Sequence, residues 1–146
     1  MVKCLPQRAQ SFLHEEHKEK IVKMKLRIKG NSLRIRLTKT EVSTITTTGY
    51  LEEETLFGSS NKLVYALQRV DAGNELTAIL EQHKITMFVP SALTKDWPVN
   101  NVISFEANMP IADNKTLYLL LEKDFVCLDH TTEDQSDNYE NPNKTC

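Results

Sequence analysis

The stretch Met24 to Val42, MKLRIKGNSLRIRLTKTEV, constrains the fold more than any other part of the chain. Met24, Leu26 and Ile28 alternate with Lys25, Arg27 and Lys29; after Gly30-Asn31-Ser32, the residues Leu33, Ile35 and Leu37 alternate with Arg34 and Arg36. Strict period-two alternation on both sides of a turn-forming break is the pattern of a β-hairpin with one apolar and one basic face. It predicts that Lys25, Arg27, Lys29, Arg34 and Arg36 project from one side, with Asn31 and Ser32 at the tip.

Thr38 then stands three residues before Glu41, the capping-box spacing, so TKTEVSTITTTG should begin as a short helix and end by Gly49. Its threonines make that helix weak, because β-branched side chains lose freedom in a helix. Tyr50–Phe57 and Lys62–Val70 read as strands, closed by Gly58-Ser-Ser-Asn and Asp71-Ala-Gly-Asn. The order so far is ββαββ.

The order then recurs. Glu75–Gln82 and Lys84–Val89 form a hairpin around His83, and Pro90-Ser91 opens a short helix through Trp97, stopped by Pro98. Asn101–Ala107 and Thr116–Phe125 supply two more strands. Sliding the chain on itself by 52 residues places Leu33, Ile35 and Leu37 on Ile85, Met87 and Val89. The same offset places Thr38 on Pro90, Ile45 on Trp97, and Tyr50-Leu51 on Val102-Ile103. That argues for an internal duplication, the alternative being that regular strand spacing alone produces such an offset. Units of about 50 residues are too small to bury both faces alone. The expected fold is therefore mainly β: a pseudo-two-fold β-barrel from two ββαββ repeats with two short helices. It should occupy residues 24–128, with repeat one at 24–70 and repeat two at 75–125. A flexible extension, 1–23, precedes it, and an irregular acidic tail, 129–146, follows. Because Met24 opens the first clean strand, translation is expected to start there.

The net charge of −2 hides a segregation. Lys23 to Glu41 holds seven Lys/Arg and one Glu, whereas Glu122 to Cys146 holds seven Asp/Glu and two Lys. The longest strongly apolar run, Leu117–Leu121, is far short of the roughly 20 residues of a membrane helix, and the first 23 residues lack a signal-type apolar core. Three distant cysteines fit reduced thiols, so a cytoplasmic location without membrane association is expected, and the two Asn-Lys-Thr sites carry no weight there.

IKGNSLRIRLTKTEV resembles the start of AbrB/MazE-type swapped-hairpin transcription factors and antitoxins, in which a strand, a Gly-Asn-Ser turn and a second strand precede a short helix. In that superfamily two chains intertwine into one barrel and the first hairpin binds DNA. The resemblance implies that this chain carries such a dimer as a tandem duplication. MKLRIKGNSLRIRLTKTEV and EKDFVCLDHTTEDQSDNYENP together are also similar to a family of small, functionally uncharacterised bacterial proteins.

For function, the basic row with Asn31 and Ser32 could neutralise phosphates, and a β-ribbon can enter a major groove. Against this, the second hairpin offers Thr77, Ile79, Glu81, Thr86 and Phe88 instead of cations, and Thr38 stands where the superfamily usually has proline. The acidic tail could also fold onto the row. A charged strand face more often only solvates and protects an edge. Cys127, His130 and Cys146, near Asp134 and Asp137, include zinc-ligand types, but no second close pair exists, so no metal is expected. None of His14, His17, His83 or His130 has a nucleophile context, Trp97 reads as a core plug, and four glycines form no phosphate loop. The expectation is a non-enzymatic binding or regulatory module without cofactor. Its partner would be DNA or an unknown protein, the latter through the basic hairpin or the acidic tail, and a monomer is plausible after duplication.

Overall fold

The computed structural model describes residues 23–126 and 134–142. The arm 1–22 and the residues Cys127, His130 and Cys146 lie outside this range. The elements are β1 (Lys25–Ile28), β2 (Ser32–Leu37), α1 (Lys39–Thr47), β3 (Tyr50–Leu56), β4 (Lys62–Val70), β5 (Thr77–Glu81), β6 (Lys84–Pro90), α2 (Ser91–Thr94), β7 (Ser104–Pro110) and β8 (Thr116–Lys123). The fold is mainly β. No helix among the described residues is long and apolar enough to cross a membrane.

The strands make two four-stranded sheets, ordered β1-β2-β8-β7 and β3-β4-β6-β5. Each sheet takes one hairpin from each half of the chain. The hairpins are antiparallel and meet through a central parallel pair, β2 with β8 and β4 with β6. A parallel pair needs a long connection, and the halves supply it by exchanging hairpins. Among the described residues, no strand pairing joins one sheet to the other.

The apolar side of the alternation fills the space between the sheets. Leu33, Ile35 and Leu37 of β2, Leu119 and Leu121 of β8, Leu67 of β4, and Ile85, Met87 and Val89 of β6 are all buried in one cluster. Val42 and Ile45 of α1 and the fully buried Trp97 belong to the same cluster. The Trp97 ring packs on Phe105 at 4.9 Å, and its Nε1 donates to the Val102 carbonyl at 2.8 Å. That bond explains a difference from the sequence expectation. Residues 101–103 are held in a loop, and β7 begins at Ser104 instead of Asn101.

Helix α1 carries both halves of the capping box: Thr38 accepts from the Glu41 backbone N–H, and the Glu41 carboxylate accepts from the Thr38 N–H at 2.9 Å. At the other end Gly49 adopts φ +82°, and the Arg69 guanidinium donates to the Thr46 carbonyl. Lys123, which is buried, likewise donates to the Asn100 carbonyl at 2.9 Å beyond α2, its Nζ lying over the rings of Tyr139 and Trp97. Burial pushes its pKa below the usual lysine range.

Residues 134–142 contain no helix or strand beyond a bridge between Tyr139 and Phe125, yet they are packed. The Asp137 carbonyl accepts from the Lys39 N–H at 2.9 Å, and its carboxylate accepts from Thr40. This part of the acidic tail therefore sits on the N-terminus of α1, where a negative charge is favoured, and not on the basic hairpin.

Candidate functional site

The two-residue turn Gly30-Asn31 sets the geometry of the basic hairpin. Gly30 lies at φ +55°, a conformation that glycine takes without the Cβ penalty and that tight hairpins need at their first central position. The tip is then fastened to its neighbours. Asn31 donates its side-chain amide to the Thr116 carbonyl at 2.7 Å and accepts from the Tyr118 N–H at its own carbonyl, while the Ser32 hydroxyl donates to the Lys29 carbonyl. Asn31 and Ser32 thus spend these groups on the fold.

The strand register places the cations in rows across the outer face of the first sheet. Lys25 lies opposite Arg36, which lies beside Glu122 and then Ser104; Arg27 lies opposite Arg34, beside Leu120 and then Glu106. Same-face neighbours at this spacing interact directly. Glu122 holds both arginines, at 2.6 Å from Arg36 Nε and 3.4 Å from Arg34 Nε. Lys25 Nζ lies 2.9 Å from the carboxylate of Asp124, which is buried. Arg27 and Lys29 are exposed and make no ion pair with any described residue. With Ser32, Arg34 and Tyr118 they line a shallow cleft of about 120 Å³. The Tyr118 hydroxyl donates to Glu106 at 2.6 Å, and this bond, with burial, raises the phenol above its ordinary pKa.

The structure therefore brings the five predicted cations onto one face and adds three carboxylates that sequence pattern alone did not connect with them. Glu106, Glu122 and Asp124 lie far along the chain; the only signal for Glu122 and Asp124 was the acidic character of the C-terminal end, and Glu106 had none. The glutamates of β3 do not join this face. Glu52 and Glu54 pair with Lys84 and Lys62 in the other sheet, and Glu53 lies 3.7 Å from Lys23.

The inner side of the same hairpin is apolar. Ile28 borders an open cavity of about 370 Å³ between the sheets, lined also by Leu33, Leu80, Ile85, Met109 and Leu117. Ile28 and Leu80 remain 57% and 70% exposed, so this mouth is not closed by the described residues.

Residues 24–143 match the model of DUF7009, a family of unknown function. The chain belongs to this family. No curated protein and no solved structure matches it. Membership in DUF7009 brings a span but no chemistry.

Proposed function

We propose that this DUF7009 chain is a tandem duplication of a ββαββ unit and acts as a non-enzymatic binding module that engages an acidic protein segment through the β1–β2 hairpin. Matching hydrogen bonds support the duplication. Tyr118 N–H donates to the Asn31 carbonyl as Val64 N–H donates to His83; Lys123 N–H donates to Ile103 as Arg69 N–H donates to Gly49. Phe57 bonds to Asn61 across one hairpin tip as Ile111 bonds to Lys115 across another. The hairpin positions are related by 52 residues, as Leu33 and Ile85 are, and the later strands by 54, as Tyr50 and Ser104 are. Two extra residues in the loop after α2 account for the difference. Exchange of hairpins between halves is also what the AbrB/MazE resemblance implies for a duplicated chain, with each half covering edges of the other in a near-closed barrel.

The observation that carries the binding reading is the partition of the basic row. Lys25, Arg34 and Arg36 are already matched by Asp124 and Glu122, whereas Arg27 and Lys29, beside an apolar mouth, make no ion pair among the described residues. DNA affinity from phosphate neutralisation scales with the number of cations that release counterions, and Arg27 and Lys29 alone give little of it. An acidic protein segment gains from the same cations and from the apolar surface beside them. DNA remains the second reading, favoured by the cleft in which Arg27, Lys29 and Arg34 converge.

The test compares binding to random duplex DNA and to a glutamate-rich peptide across a salt series, for the natural protein and for Arg27→Ala/Lys29→Ala. The expected result is peptide binding at physiological salt that the double variant loses, with DNA retained only at low salt. DNA binding at physiological salt without peptide binding would reverse the two readings.

A further inference from the structure

The backbone of β1 says how such a segment would bind. In an antiparallel hairpin the residues alternate between pairs that exchange hydrogen bonds and pairs whose N–H and C=O groups point away from the partner. Lys29 N–H donates to the Ser32 carbonyl, which makes 29/32 a bonded pair; the register then makes 27/34 and 25/36 bonded and turns the backbone groups of Leu26 and Ile28 outward. Among the described residues β1 is an edge strand, with β2 as its sole ladder partner. One step earlier, Met24 also points outward, and its groups are used: its carbonyl accepts from the Tyr65 hydroxyl at 3.0 Å, and its N–H reaches the Glu41 carboxylate. The edge is closed at Met24. Among the described residues, no hydrogen bond outside the ladder engages the backbone of Leu26 or Ile28.

The corresponding edge in the other hairpin is covered. Ala78 N–H, 52 residues beyond Leu26, meets the Met109 sulfur of β7 at 3.3 Å, and Ala78 and Ala107 are buried. The open edge of β1 is also two-sided. Its outer side carries Lys25 and Arg27, with Arg27 making no ion pair among the described residues; its inner side carries Leu26 and Ile28 beside the 370 Å³ cavity.

We propose that β1 is a strand-addition site for an extended segment of a partner protein that alternates acidic and aliphatic residues. This rests on the binding reading above and specifies its mode. Backbone groups of the added strand would pair with Leu26 and Ile28, its acidic residues would flank Arg27, and its aliphatic residues would flank Ile28 and enter the cavity. A second copy of this chain is a poor occupant. Antiparallel pairing of two β1 strands would set Lys25 and Arg27 against their own kind, and like charges in cross-strand positions destabilise a sheet.

The test uses the full chain and a seven-residue peptide alternating glutamate and valine, with two controls: the same composition arranged in blocks, and the alternating peptide N-methylated on the amides of its pairing edge. Binding by fluorescence anisotropy should weaken at least tenfold for each control, and amide exchange at Leu26 and Ile28 should be rapid in the free protein and slowed by the alternating peptide. Ile28→Pro removes an outward N–H without removing a bond to β2, so it should abolish binding while Ile28→Val retains it; unchanged exchange protection in β8 checks that the variant is folded. Equal affinity for alternating and block peptides overturns strand addition and leaves the acidic-partner reading standing. Absence of binding by all peptides overturns both. Protection of Leu26 and Ile28 in the free chain shows an edge already paired and likewise overturns the proposal.

Discussion

The hairpins β1–β2 and β5–β6 have one interior and two exteriors. Both place alternate aliphatic residues in the core, Leu33, Ile35 and Leu37 in one and Ile85, Met87 and Val89 in the other, and both lay their second strand parallel to a strand of the opposite half. On the opposite face the first carries Lys25, Arg27, Lys29, Arg34 and Arg36, where the second has Thr77, Ile79, Glu81, the buried Thr86 and Phe88. Among the described residues its edge is open at Leu26 and Ile28, where that of the second is covered at Ala78. Packing restricts the interior of such a structure to side chains that fill it, while the exterior is free to differ. The difference therefore locates what is particular to the first hairpin, and it lies in charge and in an unused backbone edge.

The largest test of that comparison removes the two helix-side plugs. Trp97 and Ile45, 52 residues apart in the chain, are both fully buried. Trp97→Ala should cost about 3–5 kcal/mol and Ile45→Ala about 2–5 kcal/mol, read as shifts of the urea midpoint, with one cooperative transition in each case. Two separate transitions in either variant would show that the halves do not share a core and would break the comparison at its root.

A smaller effect separates the two hairpin turns. Gly30 and Gln82 sit at the same place, 52 residues apart, and both have positive φ, +55° and +52°. Gly30 adopts it without a Cβ, whereas Gln82 bears a left-handed penalty of about 1–2 kcal/mol, offset in part by the greater entropy a glycine loses on folding. Gln82→Gly should thus stabilise by a few tenths to about 1 kcal/mol, and Gly30→Ala should destabilise by about 1 kcal/mol. Thermal midpoints moving in the same direction for both would show that the turns are not equivalent.

Most of the strands were legible because a half-buried strand repeats every two residues, as Leu33 to Leu37 does without interruption. The helix start was legible because a capping box is local: Thr38 and Glu41 satisfy each other whatever lies beyond them. What could not be read was set by distant partners. β7 begins at Ser104 because Trp97 holds the Val102 carbonyl in a loop, and nothing in residues 101–103 announces that bond. Likewise, Arg34 and Arg36 looked as available as Arg27 until the parallel pairing of β2 with β8 put Glu122 beside them. The basic row was visible in the sequence; its electrostatic worth was not, because that depends on which strand lies next to it.

The last contrast concerns how each hairpin is tied to its helix. Glu41 is half-buried, and its carboxylate accepts from the Thr38 N–H, the Thr38 hydroxyl and the Met24 N–H, so it joins the α1 cap to the closed end of the β1 edge. The residue 52 places on is Leu93, which has nothing to titrate. Burial, aided by the nearby Glu53, pushes the Glu41 pKa above 4.5, more than its hydrogen bonds lower it. A carboxyl group with a raised pKa in the folded state binds its proton more tightly there than in the unfolded chain. Its contribution to stability is then fully present below about pH 4.5 and is lost as the pH rises through the folded-state pKa. Glu41→Gln keeps an acceptor for Thr38 and removes the titration, so the natural protein should lose stability relative to this variant between mildly acid and neutral pH. Urea midpoints measured across that range check the sign. A difference that stays constant, or that turns in favour of the natural protein as pH rises, would show that hydrogen bonding outweighs burial at Glu41. The tie between α1 and the first hairpin would then hold best at neutral pH instead of in acid.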